Sequence, residues 1–146
     1  MDYYKSGNIP WLKTGDLRDG YITKIPEFIT ALALQETSVK LIPPNTVVIA
    51  MYGATIGKLG ITTFESTSNQ ACCACLNAQQ VDRQFLFYYL LSYRKQFIDL
   101  AFGGAQPNIS KEKIVTTPFL LPPQNEQTRI VNKLDSASEI LKALIG

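Results

Sequence analysis

The chain contains no histidine, and its charge is nearly balanced at +2, with 14 Lys and Arg against 12 Asp and Glu. Without histidine there is no Ser-His-Asp or Cys-His triad, and the commonest metal ligand is missing. So small a net charge neither marks a nucleic-acid binder nor excludes one, because a local basic patch matters more than the sum. No apolar run approaches the roughly 20 residues of a membrane span. The first residues, with Asp2 and Lys5 among Tyr and Ser, lack the apolar stretch of a signal peptide. The expectation is a soluble, cytoplasmic protein with no membrane segment.

Other chemistry is also missing. Metal-dependent nucleases cluster acids round the metal, often with a lysine two residues after one of them. None of the 12 acids has a lysine at that spacing; in "KEK", 111–113, Ile114 takes the required place. There is no "NPPY"-type methyltransferase tetrapeptide and no glycine-rich cofactor loop after a first strand. "GATIGKLG", 53–60, imitates a phosphate-binding loop, but three residues rather than four separate Gly53 from Gly57. Leu59 also stands where a Mg²⁺-binding hydroxyl belongs. Cys72, Cys73 and Cys75 form no C-x-x-C pair. They read as small apolar filling of a buried strand, with a disulfide role as the alternative. No metal site and no catalytic residue is expected.

What remains is 146 residues, 46% of them apolar, enough for one domain with a real core. Residues 1–40 carry turn signals ("SGN", "IPW", "TGD", "RDG") with short strands between them. "NTVVIAMYG" follows Pro43-Pro44 and is rich in β-branched residues, so it reads as a strand. "KLGITTF" and "QACCACL" read as two more, with a hairpin loop at 53–58.

The period then changes. Asp82 is a good N-cap for one long helix, "RQFLFYYLLSYRKQFIDLAF", ended by Gly103. Phe85, Leu86, Tyr89, Leu90, Phe97 and Leu100 recur on its apolar side, while Arg94 and Lys95 sit toward the end that favours cations. Within "GGAQPNIS", Pro107 stiffens a turn and Ser110 caps a short segment, with an extended run in "KIVTTPFLLP" after it. Pro122-Pro123 introduces a last helix, roughly 124–145. There Ile130, Leu134, Ala137, Leu141 and Leu144 are spaced 4, 3, 4 and 3. That is a helix-pairing seam of two heptads, widened by Val131 and Ile145. An ordinary amphipathic helix lying on its own domain is the competing reading.

Several segments occur in one order: "IPWLKTGDL", "LIPPNTVVIAMYGATIGKLGI", "SNQACCACL", "FLFYYLL", "NIS" and "LLPPQNEQTRIVNKLD". Together they resemble the target recognition domain and adjoining spacer helix of type I restriction-modification specificity subunits. The resemblance covers most of the chain. It implies an α+β fold: a small, twisted, mainly antiparallel β-sheet domain with packed helices over 1–121. A coiled-coil-type spacer helix would follow over 122–146. It further implies a non-catalytic protein that reads one half of a bipartite double-stranded DNA target. Methyltransferase subunits carrying S-adenosylmethionine would dock on it. Cleavage would belong to a restriction/translocase subunit using ATP and Mg²⁺, leaving this chain without a cofactor. Family members carry two recognition domains and two spacers, so one of each suits a fragment, a truncated product or a half-subunit. A half-subunit would pair through the seam as a homodimer and read a palindromic bipartite site.

Phosphate contacts position such a domain and base contacts specify sequence. The phosphate candidates are Lys13, Arg18, Lys58 and Lys111, with Thr14 in the turn beside Lys13. Base-edge candidates are Gln106 and Asn108, with Tyr52 and Thr55, since amides suit adenine. Asn69 and Gln70 are further candidates, with a backbone-holding role as the alternative. Segments shared by domains that read different sequences build the scaffold, which leaves residues 18–38 to include readers. The competing function is a β-rich protein-interaction and dimerisation module without DNA reading.

Overall fold

The computed structural model describes residues 2–76, 79–102 and 107–146. They form an α+β arrangement of short strands and packed helices, as expected. A three-stranded sheet holds β1 (Ile9–Leu12) between β3 (Phe28–Ile29), antiparallel, and β6 (Thr67–Ser68), parallel. A four-stranded sheet has β4 (Val47–Ala50) antiparallel to both β5 (Leu59–Thr62) and β7 (Cys72–Cys75). β2 (Gly20–Ile22) lies parallel to β5 on the far edge, giving the order β2-β5-β4-β7.

The β4 run is apolar throughout because both of its faces are covered. Val47, Val48, Ile49 and Ala50 are all fully buried. Strand side chains alternate between faces, and here the two faces enter two cores. Val47 and Ile49 join Phe87, Leu90 and Phe97, while Val48 and Ala50 join Leu12, Leu17 and Ile22. The cysteines follow the same alternation, Cys73 on the first core and Cys72 on the second, and all three thiols are free. They fill a strand, and there is no disulfide.

Asp82 caps α2 (Arg83–Ser92), its carboxylate accepting the Phe85 amide at 2.9 Å. The expected single helix is two. It breaks at Tyr93, whose amide bonds back three residues to Leu90 at 3.1 Å, and α3 (Arg94–Ala101) starts afresh. The buried face carries on across the break, with Phe97 and Ala101 seven and eleven residues on from the buried Leu90, while Leu100 is 52% exposed. The break places Arg94 at a helix N-terminus, where the dipole disfavours a cation. Gly103, expected to stop this helix, lies outside the described residues. α1 (Ala31–Glu36), capped by Thr30, has no counterpart in the sequence reading. α4 (Lys111–Val115) is capped by Ser110, which accepts the Lys113 amide at 3.2 Å, as expected. No strand forms between α4 and Pro123.

α5 (Gln124–Ile145) begins directly after Pro122-Pro123, and the Pro123 carbonyl accepts the Glu126 and Gln127 amides. Its first half docks on α2. Gln127 is 1% exposed, and its carboxamide is fully used. Oε1 accepts the Asp82 amide at 2.8 Å, and Nε2 donates to the carbonyls of Gln80 at 3.0 Å and Pro122 at 2.9 Å. Val131 is buried one turn on, and Tyr88 donates its hydroxyl to Asp135. This docked line is not the expected seam. Each helical residue turns the chain about 100°, and the seam lies about that far round from Gln127, Val131 and Asp135. Ile130 stays half-buried, Leu134 is 39% exposed, and Leu141 and Leu144 beyond them are exposed by 57% and 78%. No described helix is long and apolar enough to cross a membrane.

Replacing Gln127 by Ala removes the partner of the Asp82 amide and of two carbonyls in a part-buried site. The expected loss is about 2 kcal/mol, seen as a lower urea midpoint at unchanged slope.

Candidate functional site

Strand direction gathers most of the sequence candidates at one end of the larger sheet. β4 runs toward that end, and the antiparallel β5 and β7 start from it, as does β2 beside β5. The turn with Tyr52, Thr55 and Lys58 therefore lies next to Gln70, which precedes β7, and Arg18, which precedes β2. Asn108 joins them through a backbone bridge to Tyr52, and the Gly53 amide reaches the Pro107 carbonyl at 3.1 Å. β1 and β6 end close by, where the Asn69 amide donates to Leu12. Lys13 and Thr14 follow β1 directly.

Asp19 ties this end together. It takes a left-handed backbone, φ 61°, just before Gly20. Its amide donates to the Leu59 carbonyl at 2.8 Å, and its Oδ1 accepts the Leu59 amide at 3.1 Å. Lys58 Nζ lies 3.1 Å from Oδ2, and the Arg94 guanidinium grips both carboxylate oxygens. Arg94 Nε also donates to the Gly57 carbonyl at 2.9 Å. Burial pushes the Asp19 carboxyl up. Hydrogen bonds from Arg94, the Leu59 amide and Lys58 outweigh it and hold the carboxyl below its ordinary value. One carboxylate thus joins the starts of β2 and β5, the β4–β5 turn and the first turn of α3.

The phosphate-loop likeness of residues 53–58 dissolves in this geometry. The amides of Gly53, Ile56, Gly57 and Lys58 bond to Pro107, Gly53, Ala50 and Thr55. They are spent inside the protein. Gly57 has φ 79°, and a Cβ there would stand 2.9 Å from Arg94 Cγ. Its glycine serves the arginine, not a ligand. Among the described residues no group of acids and cysteines is arranged to hold a metal ion.

The candidates differ in what they leave available. Lys13 Nζ pairs with Glu27 and sits 5.0 Å over the Trp11 ring, while Thr14 opens a 3-10 turn (Thr14–Asp16). Lys58 pairs with Asp19, but half of its side chain is exposed, and such surface pairs are worth no more than about 1 kcal/mol. Arg18 and Lys111 form no ion pair among the described residues. Arg18 lines a polar cleft of about 350 Å³ with Asp16, Tyr21 and Lys24. The Asn69 carboxamide accepts the Ala71 amide at 3.2 Å, the backbone-holding arrangement. Thr55 donates its hydroxyl to the Tyr52 carbonyl at 3.0 Å, whereas the Tyr52 ring is 46% exposed. Gln70 and Lys111 line a separate, apolar cleft with Leu41 and Met51. Gln106 lies outside the described residues. Asp19 and Arg94, which organise the site, were not among the candidates. They are 75 positions apart, and no spacing rule connects them.

A family described as "Type I restriction modification DNA specificity domain" matches residues 2–145. The specificity subunit of the type I restriction enzyme EcoR124I/EcoR124II of Escherichia coli is 24% identical over 99% of this chain and 37% of its own length. That of MjaIX from Methanocaldococcus jannaschii is 24% identical over 95% of this chain and 33% of its own. The solved HsdS subunit from Thermoanaerobacter tengcongensis superposes with a TM-score of 0.76. It is 20% identical, over 96% of this chain and 32% of that one. A chain solved in a study of assembly and conformational transition in the type I R-M system also gives 0.76. It is 22% identical over 97% of this chain and 33% of its own. The chain thus spans about a third of the proteins it matches.

Asp19 gives this end of the sheet a pH signature. Its carboxyl is depressed in the folded state. The stability it contributes is therefore full above the ordinary carboxylate range and lost as pH falls through the folded value. Asp19→Asn is expected to cost about 2 kcal/mol at neutral pH. The variant's acid-unfolding limb should also be flatter than the parent's, measured as Tm between pH 3 and 7.

Proposed function

The chain belongs to the type I restriction modification DNA specificity domain family, and on that premise we propose that it reads one half of a bipartite double-stranded DNA target without performing chemistry. The convergence of Arg18, Tyr52, Thr55, Lys58 and Asn108 at one end of the sheet carries this reading. Arg18 and Lys58 meet phosphates, Lys58 by exchanging an exposed ion pair for one with DNA. Tyr52 and Asn108, held together by their backbones, face the bases, and Arg18 with Lys24 extends the surface along β2 within the segment assigned to readers. Lys13, Thr14 and Asn69 support the surface from behind through bonds to their own domain. Methylation, with its S-adenosylmethionine, and cleavage, with ATP and Mg²⁺, belong to partner subunits of a cytoplasmic complex.

The second half of α5 holds the pairing surface. Its stripe at Leu134, Ala137, Leu141 and Leu144 is left uncovered by the domain. It takes another spacer helix, from a second copy or from a longer parent chain. The same stripe would serve the interaction-module reading, so DNA binding is the discriminating measurement.

Arg18→Ala is expected to weaken binding to duplex DNA of any sequence and to reduce the salt slope by about 0.9. Anisotropy titrations at several salt concentrations test this, and an unchanged slope would remove Arg18 from the phosphate contacts. Absence of DNA binding, even with a methyltransferase subunit present, would favour the interaction module. The double change Leu134→Asp, Leu141→Asp is expected to abolish self-association in light scattering. It should leave the single chain folded by circular dichroism, since both side chains are exposed within it; a surviving dimer would show that pairing uses another surface.

A further inference from the structure

β7 is the outer strand of the larger sheet, with β4 on one side and no strand on the other among the described residues. In an antiparallel ladder, facing residues alternate between exchanging backbone bonds and exchanging none. The Met51 amide donates to the Ala71 carbonyl at 2.8 Å, so Ile49 with Cys73 and Val47 with Cys75 are the bonding pairs of this register. Ala74 therefore turns its N–H and C=O outward, at the open edge. Exposed edges are ordinarily blunted by lysine, proline or a bulge. "CCAC" carries neither lysine nor proline, and its pairing with β4 runs unbroken from Cys72 to Cys75.

Two clefts flank this edge. Cys73, Cys75, Leu86 and Phe119 line one of about 370 Å³, and Leu41, Ile42 and Cys72 line one of about 320 Å³. Cys73, Ala74, Leu76 and Lys111 border both. Leu76 and Val115 are each 70% exposed at the rims. Lys111 reaches both clefts and Lys40 the second, and no carboxylate lines either.

We propose that the β7 edge is a docking site for an extended segment of a partner protein, which adds a strand beside Cys72–Cys75. The segment carries apolar side chains at alternate positions and a carboxylate that meets Lys111. An added strand satisfies the outward groups of Ala74, and its side chains alternate into the two clefts, one on each side of the edge. The apolar lining and the backbone edge suit a peptide rather than a nucleic acid, and the unopposed ammonium groups set its charge. This inference does not depend on DNA reading, which uses the end of the sheet rather than its side.

The test is a fluorescein-labelled peptide of alternating valine and threonine with glutamate at both ends, titrated into the whole chain by anisotropy. Saturable binding is expected, weaker by about tenfold in Lys111→Glu, a change at an exposed residue. Binding should be lost when alternate peptide amides are N-methylated, and the Ala74 amide should exchange more slowly with the probe bound. Equal binding of the N-methylated peptide overturns strand addition. No binding at millimolar peptide, whether flanked by glutamate, lysine or neutral residues, overturns the site. If Lys111→Glu weakens duplex DNA binding and leaves the peptide untouched, Lys111 serves a nucleic acid and the proposal falls.

Discussion

The contact between Asp19 and Arg94 fixes the end of the sheet on which the rest of the site is built. Asp19 stands before β2, and its backbone and side chain both bond to Leu59 at the start of β5. Arg94 carries the same constraint across to α3 and back to the β4–β5 turn through Gly57. Both side chains are a quarter exposed, so the pair is neither a screened surface bridge nor a dry buried one. In that intermediate setting the geometry contributes more than the Coulomb term. A guanidinium is a rigid planar fork, and it holds the carboxylate at a defined angle. The cation at a helix N-terminus, unfavourable on dipole grounds, is offset by this partner.

Two glycines show how tightly the surroundings close on that contact. Gly57 must be glycine because the turn needs φ 79° and because the arginine stem passes where a side chain would be. Gly60 lies within β5, where a Cβ would stand 2.6 Å from Ile22 Cδ1 and 2.9 Å from Leu17 Cδ2. The close approach of β2 and the Leu17 segment to β5 depends on that missing methyl. "GATIGKLG" is thus a packing sequence: its glycines admit Arg94 on one side and the second core on the other. A glycine-rich run with a lysine invites the reading of a backbone cradle for phosphate, but here the amides are already spent inside the protein.

Much of the framework was legible because it rests on local chemistry. The β-branched run at 47–50, the Asp82 and Ser110 caps and the proline pair before α5 each act within a few residues. The break at Tyr93 was not legible, since the apolar pattern on either side is helical. Leu90, Phe97 and Ala101 keep one helical spacing across it, so nothing in the pattern marks the break. The Asp19–Arg94 contact was hidden for another reason. Its members sit in an ordinary D-G turn and an ordinary helical stretch, and only the parallel placement of β2 on β5 brings them together. Of the site candidates, sequence could name residue types suited to DNA. It could not say that Lys13 and Lys58 would be ion-paired and Arg18 not, among the described residues.

α5 shows how a helix can be docked and still leave an apolar stripe uncovered. A helix with a single apolar stripe, docked by that stripe, has nothing left for another partner. Here the domain holds α5 mainly through polar groups, the carboxamide of Gln127 and the Tyr88–Asp135 bond, with Val131 the one fully buried apolar side chain between them. Three directed hydrogen bonds at Gln127 fix the rotation of the helix as well as its position. Turning α5 by one residue would break all of them at once. The leucine stripe is thereby aimed outward at a set angle from the recognition domain. A greasy interface would allow the helix to roll between neighbouring packings, whereas a satisfied buried amide allows one. The direction in which that stripe faces is decided where Gln127 meets the N-terminus of α2.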